Sequence, residues 1–196
     1  MLKNRILLFI IITAVIGILF YSLRGSEDYI VTISKQRNQY EENLKNEKDS
    51  PVASLSNFTG FKYFEPDEKF KIEATFKAVS DNGQSLILMT DSTQSEIKKA
   101  GEATFTLDGK TFTVSLFDEE KIYLLPFRDL TNNKETYGGG RYINVPKDNL
   151  VGNKIEIDFN NAHNFYCAYN ENFVCPIPPR ENLISVEIKA GEKKYK

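Results

Sequence analysis

Apolar positions divide the chain into three zones. Residues 6–23 form an uncharged apolar run interrupted only by Thr13, Gly17, Tyr21 and Ser22. Such a run, at about 1.5 Å per helical residue, just crosses a hydrocarbon core about 30 Å thick. Lys3 and Arg5 precede it, and Arg24 with Glu27 and Asp28 follows it. That imbalance of cations places the N-terminus on the cytoplasmic side and the remainder outside. A cleaved signal peptide would carry a shorter apolar region ending in small residues, whereas this run ends Phe20-Tyr21-Ser22-Leu23-Arg24. The first zone, residues 1–25, therefore reads as an uncleaved transmembrane anchor in a bacterial inner membrane.

The second zone, residues 26–50, has helical spacing. Ser26 offers a capping hydroxyl, and Glu27 and Asp28 complement the positive end of the helix dipole. Ile30, Ile33, Tyr40 and Leu44 recur along one side, and Ser50-Pro51 closes the segment. We read an amphipathic stalk helix whose charges form a solvated face.

From Phe58 onward the pattern becomes short alternating segments broken by turn residues. This predicts a mainly β domain over residues 51–196, with an antiparallel sheet folded as a sandwich or barrel. A two-residue turn at Asp108-Gly109 pairs Leu107 with Lys110, Phe105 with Phe112 and Ala103 with Val114, stacking apolar residues on one face. The same register pairs Thr106 with Thr111 and Thr104 with Thr113 on the other. By similar logic a turn at Asn82-Gly83 pairs Ala78 with Ile87, Phe76 with Met89 and Val79 with Leu86. Further strands are expected over residues 121–126, 137–145, 154–159 and 184–189.

The 196 residues, 41% hydrophobic and 27% charged, suit one such domain with an appendage. A net charge of −2 provides no basic face for nucleic acid, which is set aside as a partner. Asn57-Phe58-Thr59 is formally a glycosylation acceptor, but nothing else marks a eukaryotic secretory chain.

Candidate chemistry concentrates between Phe127 and Asn182. Arg128 and Asp129 follow a predicted strand, and Tyr137-Gly138-Gly139-Gly140-Arg141-Tyr142 opens another. Three glycines beside Arg141 suit either an anion held by backbone amides or a strand packed closely on another backbone. The run lacks the Lys-Ser/Thr of a phosphate loop. Cys167 and Cys175, outside the membrane, are expected to form a disulfide, with two free thiols as an alternative. A zinc site would add His163 but lacks a fourth ligand and a typical spacing, so no metal and no cofactor is expected. Asp129, Asp158 and Glu181 could supply an acid/base pair, or could be ion-paired scaffolding with Arg128, Arg141 and Arg180.

Several motifs in order carry a resemblance. They are Phe61-Lys62-Tyr63-Phe64, Leu125-Pro126-Phe127-Arg128-Asp129, Thr136-Tyr137-Gly138-Gly139-Gly140-Arg141-Tyr142, Asp158-Phe159-Asn160, Cys167-Ala168-Tyr169 and Cys175-Pro176-Ile177-Pro178-Pro179 with Glu181-Asn182. Over residues 39–195 the chain resembles domain of unknown function family 1684, a bacterial and archaeal family. The resemblance implies no activity. It does imply that His163, where the family usually has an aromatic residue, is not a family-wide catalyst. The chain also departs at Phe165-Tyr166, where the family has two prolines, and at Arg180, where it has one. The candidate site residues are Arg128, Asp129, Tyr137, Gly139, Arg141, Asp158, Asn160, Tyr169, Glu181 and Asn182. The expected role is a membrane-anchored extracytoplasmic module binding a small polar or anionic ligand or an envelope partner. A carboxylate-dependent hydrolase and a purely structural envelope protein are the alternatives.

Overall fold

The computed structural model describes residues 2–53, 55, 58–80 and 83–195, with only the backbone described at 2–4, 7, 20–24, 26 and 27. The glycosylation acceptor Asn57 and the turn residue Asn82 lie outside these residues.

The anchor and stalk zones are one continuous helix, α1 (Leu2–Asn46), so no cap interrupts it at Ser26. Among the described residues no helix is long and apolar enough to cross a membrane. The apolar run lies within α1, where side chains at 7 and 20–23 are among those not described. At the other end of α1, Ile33 and Leu44 are buried and Tyr40 is half-buried against the β domain, while Ile30 points outward.

The β domain contributes, among the described residues, nine strands: β1 (Lys71–Ala78), β2 (Gln84–Leu88), β3 (Gln94–Leu107), β4 (Lys110–Asp118), β5 (Ile122–Asp129), β6 (Arg141–Pro146), β7 (Leu150–Val151), β8 (Lys154–Asp158) and β9 (Leu183–Ile184). Their order is β6-β5-β4-β3-β1-β8-β7, with β2 added to β3, and β9 added parallel to β5. The path is open, so the expected barrel is not closed. The sheet curls enough for β6 to pack against β8, and one core gathers Phe76, Phe105, Leu116, Phe127, Ile143 and Ile157.

Local chemistry explains the pairings. At the β3–β4 turn Asp108 and Gly109 have φ of 50° and 74°, the left-handed pair that a tight hairpin needs. The register runs from Leu107–Lys110 to Ala103–Val114 as the alternation predicted, and the Oγ atoms of Thr104 and Thr113 lie 3.0 Å apart on the solvent face. The expected β1–β2 hairpin does not form. β1 pairs with β3 and β8 instead, and β2 pairs with the polar first half of β3, Leu88 opposite Gln94. That arm turns at Asp91-Ser92, where Asp91 Oδ1 accepts from the Thr93 amide at 3.0 Å and its hydroxyl at 2.6 Å. A strand over residues 184–189 is also not formed beyond β9, because that backbone is taken up by buried side chains described below.

Candidate functional site

Asp129 ends β5 and Arg141 begins β6, and both side chains are wholly buried. Arg141 Nη2 meets Asp129 Oδ1 at 3.0 Å and donates to the Ile188 carbonyl at 2.9 Å. Nη1 donates to the carbonyls of Ala190 and, at 3.4 Å, Glu192. Asp129 Oδ2 accepts from the Ile188 amide at 2.8 Å and from Thr131 at 3.1 and 2.8 Å. This ionic knot replaces a strand ladder for the C-terminal segment, whose Ile188 and Ala190 fill the core. Arg141, one of the candidate site residues, is therefore out of a ligand's reach. Arg128 is half-buried, with its Nε enclosed and unpartnered.

The glycine run serves close packing. A Cβ on Gly139 would stand 2.4 Å from the Tyr137 ring, and one on Gly140, at φ +105°, would meet Pro178 at 2.6 Å and the Phe127 carbonyl at 2.7 Å. Asn182 is buried where β4 and β5 diverge. Its Oδ1 accepts from the Ser115 amide at 2.7 Å, and its Nδ2 donates to the carbonyls of Ser115 and Pro126 at 2.9 and 2.7 Å. Glu181 accepts from the Ser115 hydroxyl at 3.4 Å. Among the described residues Asp129, Asp158 and Glu181 have no hydrogen-bond partner in common.

The expected disulfide is also absent: Cys167 and Cys175 are free thiols. The Cys167 amide donates to the Cys175 sulfur at 3.2 Å, and the Tyr137 hydroxyl lies 3.9 Å from the Cys167 sulfur, so both sulfurs have polar partners without a covalent bond. Among the described residues no three His, Cys, Asp or Glu side chains are placed to share a metal ion.

Asp158, Asn160 and Tyr169 stand elsewhere, around the docked helix. Asp158 caps the 3-10 turn Phe159–Asn161, accepting from the Asn160 amide at 2.9 Å. The Tyr29 hydroxyl of α1 donates to Asp158 at 2.9 Å and accepts from Asn160 Nδ2 at 2.8 Å. Asn160 also holds both backbone groups of Asp67, at 2.9 and 2.8 Å. Arg37, two helical turns beyond Tyr29, donates to the carbonyls of Asn160 at 3.0 Å and Phe64 at 2.9 Å, with its guanidinium 4.5 Å from the Tyr63 ring centre.

Between this helix face and the sheet lies a cavity of about 350 Å³. Tyr29, Arg37, Tyr40, Tyr63, Asp158 and His163 line it, with Gln36, Asn144, Asn149 and Asn161 among the amides at its walls. The Tyr40 hydroxyl lies 3.1 Å from His163 Nδ1. His163 Nε2 and the Tyr63 hydroxyl are buried without a partner. Burial lowers the His163 imidazole to about 4, so it is neutral at pH 7.

Behind this wall the buried Glu192 carboxylate accepts from the Asn164 amide at 2.9 Å, from Asn164 Nδ2 at 2.8 Å and from the Tyr169 hydroxyl at 2.9 Å. Burial pushes Glu192 up to about 7, opposed by those bonds and by Arg141. Arg37, Tyr40, Asn164 and Glu192 were not among the candidates read from sequence. The first two could have been found, since Tyr29, Ile33, Arg37, Tyr40 and Leu44 follow one helical stripe.

Fold and site together define an antiparallel β domain with a buried Arg–Asp knot and a cavity lined by tyrosine, amide and charged side chains under a long N-terminal helix. Residues 56–193 match the family described as protein of unknown function (DUF1684), and the chain belongs to that family. It is also similar to the uncharacterized protein from gene locus rrnAC0354 of Haloarcula marismortui, whose structure was solved by solution NMR. The two share 29% identity with a TM-score of 0.70, over 87% of this chain and 96% of that one. No curated protein matches the chain.

Proposed function

We propose that this chain is a membrane-anchored extracytoplasmic binding module whose ligand is small, polar and uncharged, held in the cavity between α1 and the sheet. The observation that carries this reading is the pair of buried polar atoms, His163 Nε2 and the Tyr63 hydroxyl, left without partners at residues lining that cavity. Buried polar groups are ordinarily satisfied, and an exception in a concave site calls for a bound molecule. The volume of about 350 Å³ falls at the small end of the range for ligand pockets. Charge favours a neutral guest. Arg37 and Lys71 in the lining are matched by Glu156 and Asp158, Lys71 is paired with Glu156 at 3.2 Å, and the imidazole is uncharged.

Anchoring is supported by the apolar run itself. Phe9, Ile16 and Ile18 are 68%, 59% and 68% exposed on α1, apolar surface that a bilayer would cover. The cation imbalance around the run favours a cytoplasmic N-terminus with the β domain periplasmic or extracellular.

The test is titration of the isotope-labelled full chain in lipid nanodiscs with a panel of monosaccharides, polyols and neutral amino acids. At least one compound is expected to shift the His163 and Tyr63 resonances, with the response weakened in Gln36→Trp, which adds bulk at an exposed lining residue. If no compound at millimolar concentration moves these signals, the reading is wrong.

A further inference from the structure

A second site lies away from the cavity, in the loop that follows His163. Cys167 sits in the 3-10 turn Tyr166–Ala168 and is half-buried, whereas Cys175 is 1% exposed. The 3.2 Å contact from the Cys167 amide brings the Cys175 sulfur against the Cys167 backbone. The surroundings hold that arrangement in place. The Thr90 amide donates to the Cys175 carbonyl at 2.9 Å, the Thr90 hydroxyl accepts from the Cys175 amide at 3.0 Å, and the Tyr142 hydroxyl donates to the Pro176 carbonyl. Thr90 just after β2, Tyr142 of β6 and the loop thus hold the two cysteines together, with Cys167 half-buried and Cys175 covered.

We propose that Cys167 and Cys175 form a redox-active dithiol that exchanges with small disulfides, with Cys167 as the attacking sulfur and Cys175 as the resolving one. Accessibility gives the order, because Cys167 is partly exposed to an incoming disulfide whereas Cys175 is 1% exposed. The electrostatics agree. A hydrogen bond from the Cys175 thiol, helped by one from the Tyr137 hydroxyl, lowers the Cys167 thiol to about 7 against burial, while the same thiol–thiol bond and burial raise Cys175. A thiol titrating near ambient pH combines a large thiolate fraction with retained nucleophilicity.

In the first step the Cys167 thiolate attacks one sulfur of a disulfide RSSR. The Cys167–S–SR bond forms, the RS–SR bond breaks, and one RS⁻ leaves. The Cys175 thiol then gives up its proton to solvent and attacks the Cys167 sulfur, releasing the second RS⁻. The two protein thiols are oxidised by two electrons, and RSSR is reduced to two thiols. This proposal is independent of the cavity and its ligand.

Incubating the reduced full chain with oxidised glutathione, followed by intact-mass and peptide mapping, tests it. The wild type is expected to lose two hydrogens and yield a Cys167–Cys175 crosslink without retained glutathione. Cys175→Ser should instead keep one glutathione on Cys167, and the wild-type rate should rise with pH around a midpoint near 7. Cys167→Ser should be at least tenfold slower to react. The proposal is overturned if the wild type carries separate adducts on each cysteine or does not react. It is equally overturned if Cys167→Ser reacts as fast as the wild type. The wild-type result decides between these even if a variant fails to fold.

Discussion

Glu192 and His163 titrate in opposite senses, and their separation by mutation gives a quantitative test of the buried cluster. Glu192 ionises near 4.5 when free but at about 7 in the fold, so its contribution to stability is complete below about pH 4.5 and is lost as the pH rises to about 7. His163 is protonated near 6.5 when free but at about 4 in the fold, so its contribution is complete above about pH 6.5 and is lost as the pH falls to about 4. At about 1.36 kcal/mol per pH unit, each amounts to about 3 kcal/mol across its window. Because the two slopes oppose one another over about pH 4.5 to 6.5, they largely cancel in the wild type. Glu192→Gln keeps an acceptor for Tyr169 or Asn164 but cannot ionise, so it unmasks the histidine slope. His163→Phe keeps a ring against Tyr40 and unmasks the glutamate slope. Urea unfolding followed by circular dichroism, at intervals from pH 4 to 8, reads the difference between each variant and the wild type. The Glu192→Gln difference should move in the variant's favour by about 3 kcal/mol as the pH rises from 4.5 to 7. The His163→Phe difference should move in its favour by a similar amount as the pH falls from 6.5 to 4. Curves parallel to the wild type would refute the assignment of both groups as buried and neutral near pH 6.

Other expectations concern the scaffold. Arg141→Met leaves Asp129 buried and unpaired and should cost about 3–5 kcal/mol in urea unfolding, whereas Arg128→Met, which breaks no ion pair, should cost under about 1 kcal/mol. Gly140→Ala combines a φ of +105° with Cβ contacts at 2.6 and 2.7 Å and should lower stability by about 2 kcal/mol or more. Gly152→Ala, in open space at φ +63°, should cost about 1 kcal/mol by the same assay. Asn160→Ala removes the joint between Tyr29, Asp158 and Asp67 and should raise amide exchange along residues 29–44 by at least tenfold, with the strand amides unchanged.

What could be read from sequence depended on how many independent signals met at one place. The β3–β4 hairpin was legible to the residue, because turn chemistry at Asp108-Gly109 and alternation on both flanks specify the same register. The hairpin read at Asn82-Gly83 was misleading, because β1 and β2 both pair antiparallel to β3 and so follow one another along it in the same direction. The first half of β3, Gln94 to Lys99, is polar on both faces and has no alternation to announce it. Arg128 and Arg141 look alike in sequence. Only the fold reveals that one is wholly enclosed with its acid while the other remains half-exposed. Glu192 was hidden for a related reason, since a single acid in a C-terminal stretch rich in lysine resembles solvated surface until burial gives it partners.

The unbroken course of α1 sets a distance. Tyr29, which grips the β domain through Asp158, lies only six residues beyond Leu23, where the apolar run ends. At about 1.5 Å per residue that is about 9 Å of straight rod. With the run seated in a bilayer, the domain would stand almost on the lipid headgroups at a fixed height. Under the proposed anchoring it would lack the sweep that a jointed tether allows.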